Sequence, residues 1–110
     1  MMTWNLIFLP EADDDFNSLD LRRQLIVDTA IKRVLQNLLP QSESGYGKPL
    51  GLKGGRNLTG FLKIKLKGEG IRIAYQLIRT RTTMRVVVVG VGEDDEVYKM
   101  ALKRKEKYGL

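Results

Sequence analysis

The sequence contains neither cysteine nor histidine. Without cysteine there are no disulfides and no thiolate metal sites, and a reducing compartment is the natural home. Without histidine, the usual metal ligand and the usual general base at neutral pH are both gone. A Ser-His-Asp triad, a zinc protease centre and a two-histidine nuclease centre are thereby excluded. Long apolar runs are missing too: nothing approaches the ~20 apolar residues needed to span a bilayer. The opening Met1-Met2-Thr3-Trp4-Asn5 lacks the basic stretch of a secretory signal. We therefore expect a cytoplasmic protein with no membrane partner.

What is present suits one domain, residues 1–110, with a single modest core. Apolar residues make up 43% and charged residues 29%, a globular balance rather than a disordered one. The charge is unevenly placed. Residues 1–58 hold seven basic and seven acidic side chains, whereas residues 59–110 hold twelve basic and six acidic, so the whole net charge of +6 sits in the second half. A localised basic excess points to a polyanion or an acidic peptide as partner. Charge alone is equally compatible with an ordinary basic surface.

Hydrophobic periodicity orders the chain. Thr3 to Leu9 reads as a strand, with Trp4, Leu6 and Phe8 on one face and Ile7 and Leu9 on the other. Pro10 closes it and opens a short acidic helix through Glu11 to Phe16. A longer helix is expected from about Asp20 to Leu39, where Val27, Ile31, Val34, Leu35 and Leu38 make an apolar stripe and Pro40 supplies the stop. Residues 40–60, with six glycines and two prolines, read as a long loop. Lys48 in it is followed by Pro49, so it is no phosphate-binding Walker loop, and no glycine spacing matches a dinucleotide fingerprint. Three strands follow, Gly60 to Lys67, Ile71 to Thr80 and Met84 to Val91. Val86 to Val89 in the last suggest a strand covered on both faces. Asp94 to Lys107 closes the chain as a helix with acids at its start and bases at its end. The order is N-terminal strand, two helices, three-stranded antiparallel meander and C-terminal helix. This is an α+β fold with helices on one face of the sheet.

One stretch carries more than fold information. From Phe61 to Lys67, Leu62, Ile64 and Leu66 alternate with Lys63, Lys65 and Lys67. If Gly68-Glu69 is a two-residue hairpin turn, Lys67 pairs with Gly70, Lys65 with Arg72 and Lys63 with Ala74. A slip of one residue would turn Arg72 into the core. Lys63, Lys65, Lys67 and Arg72 are then on one face. Like charges opposed across strands are destabilising, so the cluster implies an anion set against it. A solvated lysine face is the plainer alternative.

Lys63-Ile64-Lys65-Leu66-Lys67, Gly70-Ile71-Arg72-Ile73 and Tyr75-Gln76-Leu77-Ile78, followed by the valine-rich strand and Glu96-Val97-Tyr98-Lys99, resemble the central hairpin and last helix of RelE-type toxins of the RelE/ParE superfamily. Residues 58–104 carry the resemblance. It implies a RelE-like fold and a type II toxin-antitoxin mRNA interferase that cleaves mRNA in the decoding site of the bacterial ribosome. It implies a cognate antitoxin, contacts to rRNA, and no metal or other cofactor. By resemblance, Lys63 and Lys65 lie near the reacting ribose and phosphate, Arg72 clamps the phosphate, and Tyr98 stacks on a base or orients the 2′-hydroxyl. The plainer role for Tyr98 is packing against the sheet. Lys67, Arg79 and Lys103 are the further cations expected to bind RNA. The antitoxin is expected to contact Lys63, Lys65 or Arg72, or to dislodge the last helix, whose end at Lys103 to Lys107 is expected to be weakly held.

The chain departs from the family at one point. Members often carry a catalytic arginine in the loop before the last helix, where this chain has Gly92-Glu93-Asp94-Asp95. Arg81 and Arg85 lie at the wrong end of the strand to replace it. The acids cap the helix, or Glu93 or Asp95 enters proton transfer, or they repel RNA. Two other functions stay open: a ParE-like inhibitor of DNA gyrase without nuclease chemistry, and a catalytically weak relative that binds its antitoxin. A simple RNA-binding domain is disfavoured, since no aromatic platform accompanies the lysines.

Overall fold

The computed structural model describes residues 5–36, 48–53 and 55–110. Its elements are β1 (Asn5–Phe8), α1 (Pro10–Asn17), α2 (Leu21–Leu35), β2 (Lys48–Lys53), β3 (Arg56–Leu66), β4 (Ile71–Ile78), β5 (Thr83–Val91) and α3 (Asp94–Tyr108). The five strands form one sheet in the order β1-β5-β4-β3-β2. β1 runs parallel to β5, and the other neighbours are antiparallel. Among the described residues no helix is long and apolar enough to cross a membrane.

The helix boundaries follow from local chemistry. Pro10 occupies the first turn of α1, where no backbone donor is needed. Asp20 caps α2 by accepting from the backbone N–H of Arg23 at 2.9 Å. α3 begins with Asp94, Asp95 and Glu96 and ends with Lys105 and Lys107, each set favourable to the helix dipole. Gly109, at φ 63°, closes it in the left-handed conformation that glycine adopts without strain. Thr3 and Trp4, and the expected end of α2 beyond Gln36, lie outside the described residues.

The expected loop at 40–60 is corrected in its second half. Residues 48–53 form edge strand β2, and β3 starts at Arg56 rather than Gly60. Proline is tolerated on a sheet edge because its missing N–H faces away from the ladder. The β2–β3 pairing shifts register between Pro49 and Gly51, and Gly51 sits at φ +57°. Such irregularity hides a strand from composition. The β3–β4 register agrees with the expected one: Lys63 faces Ala74, Ile64 faces Ile73, Lys65 faces Arg72 and Leu66 faces Ile71. The turn itself is longer, a 3-10 turn at Lys67–Glu69 followed by Gly70 at φ +65°. Opening the expected Lys67–Gly70 pair lengthens the loop symmetrically, so the register is unchanged. β4 ends at Ile78, two residues before expectation, in a 3-10 turn over Arg79–Arg81.

Val86, Val87 and Val88 are fully buried, as a strand covered on both faces requires. The coverage corrects the expectation of helices on one face. α3 lies across the lysine face, where Val97 packs against Gly90 and Tyr98 meets Lys63. The opposite face, with Ile71, Ile73 and Tyr75, is equally buried and shares a core with Val27, Ile31 and Val34 of α2. Arg22 ties the start of α2 to the β3–β4 turn through a bidentate pair with Glu69, both bonds 2.9 Å.

β1 covers β5 only through Val86. Beyond it, side chains satisfy the strand edge. Arg104 donates to the Val87 carbonyl at 2.8 Å, Asp15 accepts from the Val89 N–H at 3.1 Å, and the two are paired at 2.7 Å. One ion pair thus stands in for the missing strand and anchors α3 to α1.

Candidate active site

Direct pairing puts Lys63, Lys65, Arg72 and Ala74 on the same face of β3 and β4. α3 crosses this face with its first turn over the cations. Asp94 and Tyr98, four residues apart, lie on one side of that helix. The result is a compact cluster around one carboxylate. Arg72 Nε donates to Asp94 Oδ1, while Lys63 Nζ and Lys65 Nζ lie 3.5 and 3.6 Å from Asp94 Oδ2. Arg72 Nη1 also donates to the carbonyls of Gly92 and, at 3.2 Å, Gly70. Its guanidinium therefore stitches the β4 start to the β5–α3 connection as well as facing the cluster.

Lys63 is 8% exposed and donates to the Tyr98 hydroxyl oxygen at 2.7 Å. Its nitrogen is 5.3 Å from the ring centroid. Those two distances place the ammonium beyond the ring edge, in line with the hydroxyl, so the contact is a hydrogen bond and not a cation over the ring face. A lysine has donors only, so the tyrosine oxygen accepts here and its own proton is left for another acceptor. Lys65 stands at the rim with about a third of its side chain exposed, which opens the cluster to solvent on that side.

Burial pushes the Asp94 carboxyl up. The Arg72 hydrogen bond and the charges of Lys63, Arg72 and Lys65 outweigh it and hold the group below its ordinary value. Asp94 is thus an anion held by three cations. Asp95 points elsewhere, pairing with Arg56 at 2.6 Å and Lys99 at 3.5 Å, and Arg56 chiefly holds its carboxyl below the usual range. Glu93 precedes the helix, exposed and without a side-chain capping bond. Of the three acids, the one that enters the cluster is therefore the one not singled out for proton transfer in the sequence. Its signal was legible: Asp94 is the acid spaced i, i+4 from Tyr98.

The structure brings together Lys63, Lys65, Arg72 and Tyr98, and leaves the outer cations apart. Lys67 lies in the turn, and its side chain is outside the described residues. Arg79 is at the far end of β4, roughly 20 Å along the strand from Arg72. It borders a cavity of about 230 Å³ also lined by Pro49, Gly60, Phe61, Leu62 and Leu77. Lys103 is exposed on α3. Arg85 is at that far end too, donating to Gln76 at 3.1 Å, so neither it nor Arg81 replaces the loop arginine. Lys48 is an addition: β2 places it directly across from Lys63, exposed on the same face. It was hidden because its strand read as loop.

The weakly held helix end is also corrected. Besides Arg104–Asp15, Lys107 pairs with Glu11 at 2.8 Å, Tyr108 donates to Glu11 at 2.6 Å, and Lys105 donates to the Asn57 carbonyl at 2.9 Å. The hydrogen bonds from Lys107 and Tyr108 bring the Glu11 carboxyl down to about 2.

No family model matches the chain. Over 49 residues it is 41% identical to the mRNA interferase toxin RelE of Escherichia coli K12, a match covering 44% of this chain and 52% of that protein. The chain thus spans about half the length of the curated relatives it matches. The fold extends further. A mutant of E. coli toxin RelE in the free state superposes with a TM-score of 0.71 at 27% identity, covering 94% of this chain and 98% of that one. A mutant of the same toxin in complex with a peptide of its antitoxin gives 0.66 at 27% identity, over 94% and 98% of the two chains. The chain resembles RelE-type toxins in fold and in sequence alike.

Proposed function

From this likeness to RelE-type toxins, we propose that the chain is the toxin of a type II toxin-antitoxin system, acting as one domain in the bacterial cytoplasm. In this reading it is a metal-independent endoribonuclease that cleaves mRNA in the ribosomal decoding site and is neutralised by a cognate antitoxin. The observation that carries the reading is the convergence of Lys63, Lys65 and Arg72 around a single carboxylate, with Tyr98 joined to them through Lys63, a constellation built to surround an anion.

The chemistry is attack of a ribose 2′-oxygen on the adjacent phosphorus with departure of the 5′-oxygen. It leaves a 2′,3′-cyclic phosphate and a 5′-hydroxyl. One proton leaves the 2′-hydroxyl and one reaches the departing oxygen. With no histidine in the chain, the candidates are the lysines and the tyrosine. Lys65, at the open rim, is the group best placed for proton transfer with substrate. Buried Lys63 stabilises developing charge and, by donating to the Tyr98 oxygen, leaves the tyrosine proton free to orient the ribose or phosphate. Arg72 supplies the planar donors suited to a phosphate. Lys67, Arg79 and Lys103 belong to the wider RNA and rRNA contacts, with Lys48 added beside Lys63. No residue of this scheme calls for a cofactor.

The second reading, a catalytically weak relative that binds its antitoxin, is favoured by Asp94, whose carboxylate already engages three of the cations. The deciding experiment is translation in a cell-free bacterial extract with mapping of mRNA ends. New 3′ ends within translated codons, absent from naked RNA, support the nuclease. Translation that stays intact at stoichiometric protein rejects it.

A further inference from the structure

The groups that the nuclease reading assigns to a scissile phosphate are gathered on a carboxylate of the chain itself. Asp94 Oδ1 accepts from Arg72, and Asp94 Oδ2 faces Lys63 and Lys65 within 3.6 Å. A carboxylate and a phosphodiester each present one negative charge over two terminal oxygens, so they compete for the same donors. Asp94 is fixed in place by its helix: Val97 and Tyr98 are buried against the sheet, and neighbouring Asp95 is pinned by Arg56. Yet its side chain is 34% exposed, which leaves it an outward rotation while α3 stays seated.

We propose that Asp94 is a specificity-determining residue, whose carboxylate fills the phosphate position and excludes RNA that is not presented by a scaffold. The proposal rests on the nuclease reading for the identity of the displaced ligand. The reason is one of concentration. A group attached to the fold meets its donors at an effective concentration on the order of millimolar or above. Free RNA at micromolar levels loses that competition, whereas a strand threaded through the ribosome and held beside the site is tethered as well, and meets Asp94 on even terms. Dependence on the ribosome is then written partly into the toxin, by one acid, and not only into the geometry of the decoding site. Asp94 also explains how the chain tolerates three cations on one sheet face when no RNA is bound.

The test compares the full chain with Asp94→Asn and Asp94→Ala. Affinity for a short fluorescent single-stranded RNA is read by anisotropy without ribosomes, and cleavage is read in the translating extract. Removing the carboxylate is expected to tighten free RNA binding on the order of tenfold. The gain should disappear in Asp94→Asn/Lys65→Ala, which identifies the cation site as its source. Unchanged affinity in folded variants overturns the proposal. So does loss of ribosomal cleavage with no gain in free binding, which makes Asp94 a proton acceptor instead. If neither variant folds, Asp94 is structural and the proposal falls. Failure of the nuclease reading shows separately, as a parent chain that cuts no mRNA while Asp94→Asn still gains RNA affinity.

Discussion

Gly90 offers the sharpest test of how the sheet sets the site. It sits across from Arg72 in the β4–β5 ladder, and a Cβ built there would lie 2.6 Å from Val97 Cγ2. Its backbone is not in the left-handed region, so alanine is excluded by contact and not by conformation. Val97 is 2% exposed and β-branched, with little rotamer freedom in a helix, so it cannot swing aside. Gly90→Ala therefore overpacks the α3–sheet interface at a cost of about 2 kcal/mol. Val97→Ala alone removes two buried carbons and leaves a small cavity, also about 2 kcal/mol. The new methyl and the vacated volume coincide, so the double variant should cost far less than the sum, with a coupling of about 2 kcal/mol. Each single variant should lower Tm by about 8 °C, and the double variant by about the same amount, not by twice as much. Chemical denaturation of the four proteins measures the cycle. Because Val97 lies between Asp94 and Tyr98, Gly90→Ala should also lift both from the cations and abolish the proposed activity beyond its stability loss. Additive single effects would refute the claim that close approach at Gly90 seats α3.

Other expectations follow from the same contacts. Lys65→Ala should cost about a hundredfold in cleavage rate at unchanged Tm, the value of one charge-stabilising contact; parental toxicity at equal expression rejects the assigned site. Arg72→Ala should lose activity and stability together, because Arg72 also holds Gly70 and Gly92. Arg104→Met, which strands Asp15 and the Val87 carbonyl, should cost about 3 kcal/mol, and adding Asp15→Asn should restore part of it in denaturant melts. Glu11 is held at about 2, below its ordinary 4.5, so its contribution is present above the ordinary value and lost as pH falls through about 2. Protection of the amides at the end of α3, measured against their intrinsic exchange rates, should fall over that acid range in the parent chain and show no such step in Glu11→Gln.

Much of this protein is legible in one dimension because its signals are local. Alternation of apolar and basic residues over Phe61–Lys67 settles strand and face, and with the turn at Gly68-Glu69 the register, since a slip of one residue would bury Arg72. The valine run announced a strand covered on both sides, and the acids and bases at the two ends of Asp94–Lys107 announced the last helix. The order of the elements apart from β2 needed nothing more. What stayed hidden depends on contacts distant in sequence. β2 contains Pro49 and Gly51, poor strand residues that only a partner strand makes extended, so Lys48 was lost with it. Nothing local says on which face α3 packs. That choice, made by Gly90 against Val97 and by the anchors Asp15–Arg104 and Glu11–Lys107, turns an open basic face into a covered site. The same docking selects Asp94 over Glu93 and Asp95, because a helix presents only one of three consecutive side chains to a given surface. Residue types and strand faces were thus determined by sequence. Which anion the cations meet was decided by the tertiary fold, through the packing of a helix against strands far from it along the chain.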